Sequence, residues 1–558
     1  MAAINFFPGI KHVGFYLDDW VMLNTLARGP QNFFELFNYY FSADPRVVKR
    51  PIEALHFMVM FKLFGLKPLG YHVFNLILEV LSAWLLYFCM HRLTRSMPVA
   101  LVTSILFLIY PSHNSTHYWV VCSSVGMSMI LYLGSLLADI EAVLRDKKWL
   151  HAVSGILFLA SLLNYEVFLP LGAVNVSVVL ALSLRLSNSP IKNSLLCTGA
   201  LSVAFLIELG YLRFIVPLLA EAWMHNVKLD LSLMLSTLGA GVALNLPWTS
   251  FSFFLSRAGQ ALAEGLQPVS WILLVLSLLV LGSAISISRF IRRVDEGEEL
   301  ALSPVSLSLI GAIAVLVSYT IFGLNDSYGP TFDSLVNRVN AGATVGLAFV
   351  FSAICLWLKQ AVGSSGGRFL GALSITSLPL VLIFVVANWA LAKPYILSWQ
   401  VQSQIVSCVM KQEERLKSAS SLLLINVPRY VNESPVFDGV WDFQNMIRLK
   451  LGRNDINGGV VGDRFKFFRD RVLDAPGDMV LATYKVDGLY VMISPEGTLI
   501  PVRSIDHLLA LVEEKGMQFE NDKTLPDKWR SQLEASKSGK AGHGENLIEN
   551  SIIKKTFD

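Results

Sequence analysis

The sequence predicts a mostly α-helical, polytopic membrane protein of about ten spanning helices, followed by a small extramembrane C-terminal domain of α/β or α+β type. Three observations predict it. Of the 558 residues, 54% are apolar and only 16% charged, against roughly 25% charged in a soluble domain. The charges crowd toward the end: of the 45 Lys+Arg and 42 Asp+Glu, 44 lie in residues 393–558. Finally, ten apolar runs approach the roughly 20 residues that cross a bilayer, near 70–90, 97–112, 118–138, 150–164, 167–184, 195–217, 268–287, 304–323, 339–358 and 369–391. Several are short for a full crossing. A single soluble enzyme is excluded, and a net charge of +3 gives no case for nucleic acid.

Positive charge in short loops marks the cytoplasmic side. The basic clusters Arg92/Arg95, Arg145/Lys147/Lys148, Arg185/Lys192, Arg289/Arg292/Arg293 and Lys359/Arg368 fall at every second connection. Alternation then puts residues 1–69, 112–118, the turn around Glu166, 218–267, 324–338 and everything after 392 on the opposite side. This divides the chain into an outer segment (1–69), a membrane domain (70–392), an extracytoplasmic domain (393–534) and a Gly/Ser/Lys-rich tail (535–558) expected to be disordered.

Within the first segment, Lys11, His12, Asp18 and Asp19 interrupt any span, and Pro30, Pro45, Pro51 and Pro68 break the aromatic stretch beyond them. Residues 52–65 carry apolar side chains at helical spacing with Glu53, His56 and Lys62 interleaved, as in a helix lying on a membrane surface. Residues 218–267 read either as a similar interfacial segment or as two short spans. Residues 420–428 read as a buried strand and turn, and 480–502 as a three-stranded meander turning at Asp487-Gly488 and Glu496-Gly497. Met1–Leu17 is too short and polar to cross, and lacks the layout of a signal peptide. The expectation is that either an apolar helix lies upstream of Met1, or the acidic loop lacks its first packing partner and is loosely held. The five cysteines show no CxxC and no metal-ligand spacing, so no disulfide framework or zinc site is expected from them.

Several groups could carry chemistry. Asp18-Asp19 beside Trp20 pairs two carboxylates whose repulsion can raise one pKa toward that of a general base; the blander alternative is a solvated interfacial turn. Lys49-Arg50-Pro51, with Tyr71-His72 and Asn75 beyond, suits a phosphate at headgroup depth, since Arg can chelate two oxygens; simple lipid anchoring is the competing reading. The outer turn Tyr110–His117 (containing His113), Glu166 in NYEVFLPL and Arg338 in LVNRVNAG complete the set. Polar groups gathered at one membrane face imply a shared cavity, because lipid-exposed charge is costly.

The order of these residues brings a resemblance. The acidic pair, KRPIEALHFMVMFKLFGLKPLGYHVFNLILEV, LFLIYPSHNSTHYWV and NYEVFLPL together resemble the GT-C class of membrane glycosyltransferases. They are most similar to the branch of transmembrane and tetratricopeptide-repeat O-mannosyltransferases and their bacterial relatives. The likeness covers roughly residues 14–175, and LLLINVP with VFDGVWDFQNMIRL is similar to the outer domain of some bacterial members. The chain departs from the pattern at Glu79, Tyr110 and Tyr165, where relatives carry His, His and Lys, and it has no repeats.

The resemblance implies a GT-C-like architecture and an enzyme of the cell envelope, in a bacterial inner membrane. It would move a sugar from a polyprenyl-phosphate donor to a hydroxyl of a protein or glycan on the periplasmic or luminal side, with inversion. It implies Asp18 and Asp19 as base, Lys49, Arg50 and Arg338 as phosphate binders, and His72, His113 and Glu166 as donor or acceptor contacts. The wider class accommodates a divalent metal. No His/carboxylate triad of suitable spacing is visible, so no metal ligand is assigned. Two rival readings are a lipid or anion transporter, carried by Glu208 and Arg213 within one span, and a non-enzymatic assembly subunit.

Overall fold

In the computed structural model, residues 1–187, 189–219, 230–265, 268–291, 301–325, 328–362, 366–477, 479–515, 522 and 524–538 are described. Arg292, Arg293, Trp223, His225, Lys228 and the tail beyond residue 538 lie outside them. The chain forms two compact units, Met1–Val13 with Phe37–Lys393, and Gly14–Leu36 with Pro394–Asp558.

Proline, read in the sequence as a breaker, instead starts helices. Pro45, Pro51 and Pro68 stand at the first turn of Pro45–Val48, Pro51–Phe64 and Pro68–Thr94, where its fixed φ fits and its missing N–H has no helical acceptor to lose. Among the described residues, seven helices are long and apolar enough to cross a membrane. Three more of the ten expected runs form the shorter apolar helices Met97–His113, Trp149–Asn164 and Ser270–Ser283. Leu231–Asn245 and Pro247–Ala263 meet at 62°, so the ambiguous stretch is a bent helix pair broken at Pro247. The protein is accordingly a polytopic helical membrane protein.

With no hydrophobic drive between spans in lipid, small residues and polar contacts hold them together. A Cβ on Gly311 would stand 2.7 Å from the carbonyl oxygen of Gly346, so Pro304–Ser318 and Ala341–Ala361 cross backbone to backbone. Asn164 donates to the Ser124 carbonyl at 2.7 Å and Asn388 to that of Ile109 at 2.8 Å. The helix Pro51–Phe64 does not show the polar outer face and apolar inner face expected of a surface-lying helix. Glu53 and His56 are buried, while Leu55, Val59 and Leu63 point outward at 43%, 37% and 67% exposure. Ala54, Phe57, Met58 and Met60 are buried with the two polar residues and Lys62 is exposed with the three apolar ones, so both faces are mixed.

The second unit contains a four-stranded sheet. The fully buried strand Ser421–Ile425 pairs in parallel with Asn457–Val460 on one side and Leu489–Ile493 on the other, and Thr498–Pro501 closes the edge antiparallel. Only the second half of the expected meander forms. Ala482–Lys485 pairs instead with Arg471–Asp474 in a separate sheet, because one edge of Leu489–Ile493 is taken by Ser421–Ile425, whose mostly apolar sequence suits a central strand. The helix Leu525–Lys537 runs past residue 535, correcting the expected start of the disordered tail. Trp529 seals the core, its indole N–H donating to the Phe465 carbonyl at 2.8 Å.

Candidate functional site

In the first unit the group is built around Arg50. As the residue before Pro51 it is held extended (φ −132°), so its side chain leaves the N-terminus of a 14-residue helix, where backbone N–H groups favour anions. Its Nε and Nη2 donate to the two carboxylate oxygens of Glu166 at 2.9 and 2.6 Å. Nη1 is 3.6 Å from Glu53, and the guanidinium lies 4.2 Å above the Tyr165 ring. Arg338 donates to the Leu335 carbonyl at 2.8 Å, lies within electrostatic reach of Tyr165 and sits over Trp119 and Tyr328 at 5.0 and 5.4 Å. One tyrosine thus joins two arginines. Burial and the neighbouring Arg50 charge lower the Lys49 pKa, and burial raises the Glu53 carboxyl to about 7 against the pull of Arg50.

Arg338 is placed by two interlocked turns. The Ser115 N–H and hydroxyl donate to Asn337 Oδ1 at 3.1 and 2.6 Å, Asn337 Nδ2 donates to Asn114 Oδ1 at 2.9 Å, and Asn340 donates to the Ser112 carbonyl at 2.8 Å. The polar outer turn is therefore a bracket for the 335–340 segment.

In the second unit the acidic pair opens the helix Asp18–Arg28, and it is not loosely held. Tyr16 donates its N–H to Asp19 Oδ2 at 2.8 Å and its hydroxyl to the Tyr395 carbonyl at 2.7 Å, and Trp20 Nε1 donates to Gln402 at 3.2 Å. Farther along, Asn24 donates to Asn445 at 2.6 Å. Asp19 is fully buried, whereas Asp18 is half-buried. Leu17, just before the pair, has φ +44°, a strained backbone for a branched residue of the kind that recurs where side chains must be aimed. Gly14 lets Trp399 lie against the backbone, since a Cβ there would stand 2.0 Å from the indole. Gly14→Ala is therefore expected to destabilise this unit by about 1–3 kcal/mol or more, seen as an earlier unfolding transition; unchanged unfolding would contradict this packing.

Of the residues singled out in the sequence, the structure gathers Lys49, Arg50, Glu166 and Arg338 in the first unit and places Asp18 and Asp19 in the second. His72 is fully buried, and His113 faces Glu79 at 4.0 Å. Glu208, named for the transporter reading, is buried within electrostatic reach of Glu166 and Arg50, while Arg213 is not buried. Three members of the Arg50 group were missed: Glu53, Tyr165 and Tyr328. The i,i+3 spacing from Arg50 could have found Glu53, but Tyr165 stood out only as a departure from a lysine.

No family model matches the chain. It is 27% identical over 164 residues to protein O-mannosyl-transferase Tmtc1 of Drosophila melanogaster, covering 28% of this chain and 19% of that protein. The chain thus spans about a fifth of the length of the curated relative it matches. Among solved structures it is similar to ArnT from Cupriavidus metallidurans bound to undecaprenyl phosphate and to the same protein in the apo state. Both have a TM-score of 0.34 and cover 83% of this chain and 84% of that one, at 15% and 14% identity. The chain is a helical membrane protein that resembles, over part of its sequence, an O-mannosyltransferase.

Proposed function

We propose that the protein is a GT-C-like glycosyltransferase. It transfers a sugar from a polyprenyl-phosphate donor to an acceptor hydroxyl of a protein or glycan on the periplasmic or luminal side, inverting the anomeric centre. The observation that carries this reading is the Arg50–Tyr165–Arg338 group at the start of a helix whose exposed side chains include Leu55, Val59 and Leu63. A phosphate is recognised there by guanidinium forks and helix N–H groups while its polyprenyl chain meets those apolar side chains. The likeness to the O-mannosyl-transferase Tmtc1 supports the same reaction class.

In this reading Lys49, Arg50 and Arg338 take the phosphate and stabilise its charge as the sugar leaves. Asp18 accepts the acceptor's proton, and the buried Asp19, tied to the Tyr16 N–H, fixes the helix start that presents it. Glu166 occupies Arg50 and yields it to the phosphate, and His72 and His113 remain candidate donor or acceptor contacts. If the chain holds its donor this way, lipid-linked sugar co-purifies with the wild type and is identified by mass spectrometry; its absence from preparations of an active protein would count against the site.

The same reading gives a pH dependence. Below about pH 7 Glu53 is protonated and Arg50 faces one carboxylate fewer; as pH rises through about 7 Glu53 ionises and competes with the donor phosphate. A sugar phosphodiester keeps one charge throughout, so donor affinity is expected to fall about 3- to 10-fold between about pH 6 and 8. Glu53→Gln should flatten the profile. An unchanged slope in that variant would remove Glu53 from the account.

Orientation is part of the proposal, with the loop Arg145/Lys147/Lys148 cytoplasmic and the region after 392 outside. In a variant lacking the native cysteines, labelling of intact cells is expected at a cysteine placed near residue 455 and not near 146; the reverse pattern would invert the topology.

A further inference from the structure

Three side chains whose sequence spacing suggested no ligand set converge in the first unit. Glu79 comes from the helix Pro68–Thr94, and His113 and His117 from the turn after Met97–Ile109. His117 Nδ1 lies 3.4 Å from Glu79 Oε1 and His113 Nε2 lies 4.0 Å from Glu79 Oε2. One donor atom from each residue falls within 4.8 Å of the others, and all three residues are buried. Asp139 and His151 in the same unit make the comparison. With Cys197 they also bring three donor atoms within 4.8 Å of one another, but there Asp139 is tied to His151 and Ser154 at 2.6 Å and to Asn175 at 2.8 Å, so hydrogen bonds already occupy its oxygens. The His113–Glu79 separation is too long for a hydrogen bond, and the His117–Glu79 separation stands at the outer limit of one. The His117–Glu79 separation matches two ligands of one ion, since donors about 2.1 Å from a tetrahedral metal stand about 3.4 Å apart. The carboxylate is 7% exposed and accepts one hydrogen bond, from Thr116 at 3.1 Å, so a cation would also supply the charge partner that burial demands.

We propose that Glu79, His113 and His117 bind a divalent transition metal of the Zn2+ type. Two imidazoles and a carboxylate select such an ion over Mg2+ or Ca2+, which prefer oxygen ligands. The ion pins the 110–119 turn to a spanning helix, and that turn carries Asn114, Ser115 and Trp119, which hold Asn337 and Arg338. Its role is to position, and it gives His113 a ligand's place in this cluster instead of the donor or acceptor contact of the proposed glycosyl transfer.

The test uses the full chain in detergent, stripped with a chelator and titrated with Zn2+ or Mg2+ alone. Bound metal is measured after desalting, alongside thermal unfolding. About one Zn2+ per chain is expected to be retained, with a rise in Tm that Mg2+ does not give. Glu79→Gln and His117→Asn should lower Zn2+ affinity about tenfold or more, while His151→Asn retains the ion. Wild-type protein that keeps no Zn2+ and shows no Tm shift would overturn the proposal, as would a Glu79→Gln, His117→Asn double variant that binds Zn2+ like the wild type. Should the Glu79 and His117 variants fail to fold, the His151→Asn protein decides, since loss of its Zn2+ would place the ion at Asp139, His151 and Cys197 instead and overturn the proposal.

Discussion

Asp18→Asn is expected to lower turnover about 100-fold or more, the scale of a lost general base, while the protein stays folded and the donor still binds. The substitution keeps the side chain's size and leaves in place the hydrogen bonds of Tyr16 to Asp19, Trp20 to Gln402 and Asn24 to Asn445. Asp19→Asn is different in kind. Its Oδ2 accepts the Tyr16 N–H from a fully buried position, so replacing it weakens that bond and loosens the helix start. Single-turnover rates with saturating donor and an unfolding scan separate the two: a rate loss with an unchanged transition for Asp18, and both changes for Asp19. An Asp18→Asn protein that turns over at the wild-type rate would remove the base from the mechanism.

Arg50→Ala should weaken donor binding by about 10- to 150-fold, the loss of a charge-assisted contact of roughly 1.5–3 kcal/mol. It also leaves Glu166 without the fork that holds both of its oxygens, and an abandoned carboxylate repels the phosphate further. The Arg50→Ala, Glu166→Gln pair is therefore expected to recover part of the affinity, whereas two independent residues would give additive losses. Arg50→Lys should rescue poorly, because an ammonium cannot make the fork or lie flat on Tyr165. Donor titration by fluorescence or calorimetry reads all three; wild-type affinity in Arg50→Ala would take the phosphate site elsewhere.

Legibility in the sequence differs from element to element. Seven spans were legible because about 20 apolar residues in a row rarely form anything but a membrane crossing. The reading of residues 20–69 as broken by proline was wrong in detail: a helix interior rejects proline while a first turn welcomes it, and only the pattern of the residues C-terminal to the proline tells the two apart. Ala482–Lys485 looked like the first strand of a meander from its turn residues. The choice of partner lay with Ser421–Ile425, far earlier in the chain, which no local pattern reveals. Of the candidate site, Arg50 and Glu166 were legible singly, but their pairing across more than a hundred residues was not. Tyr165 could not be read as a seat for two cations, because an aromatic residue at a span's end is ordinary in membrane proteins. The grouping of Glu79 with His113 and His117 escaped for another reason, since their convergence exists only once the turn folds back onto Pro68–Thr94.

The central claim is the transfer of a sugar from a polyprenyl-phosphate donor. Its most direct test reconstitutes the full chain in liposomes with lipid-linked sugars extracted from source membranes and an acceptor fraction from the same cells, and follows release of polyprenyl phosphate. The wild type is expected to release polyprenyl phosphate in step with glycosylated acceptor, and the Asp18→Asn, Asp19→Asn double variant to release about 100-fold less or none. Movement of the intact lipid-linked sugar across the bilayer without release, or full release by the double variant, would contradict the account.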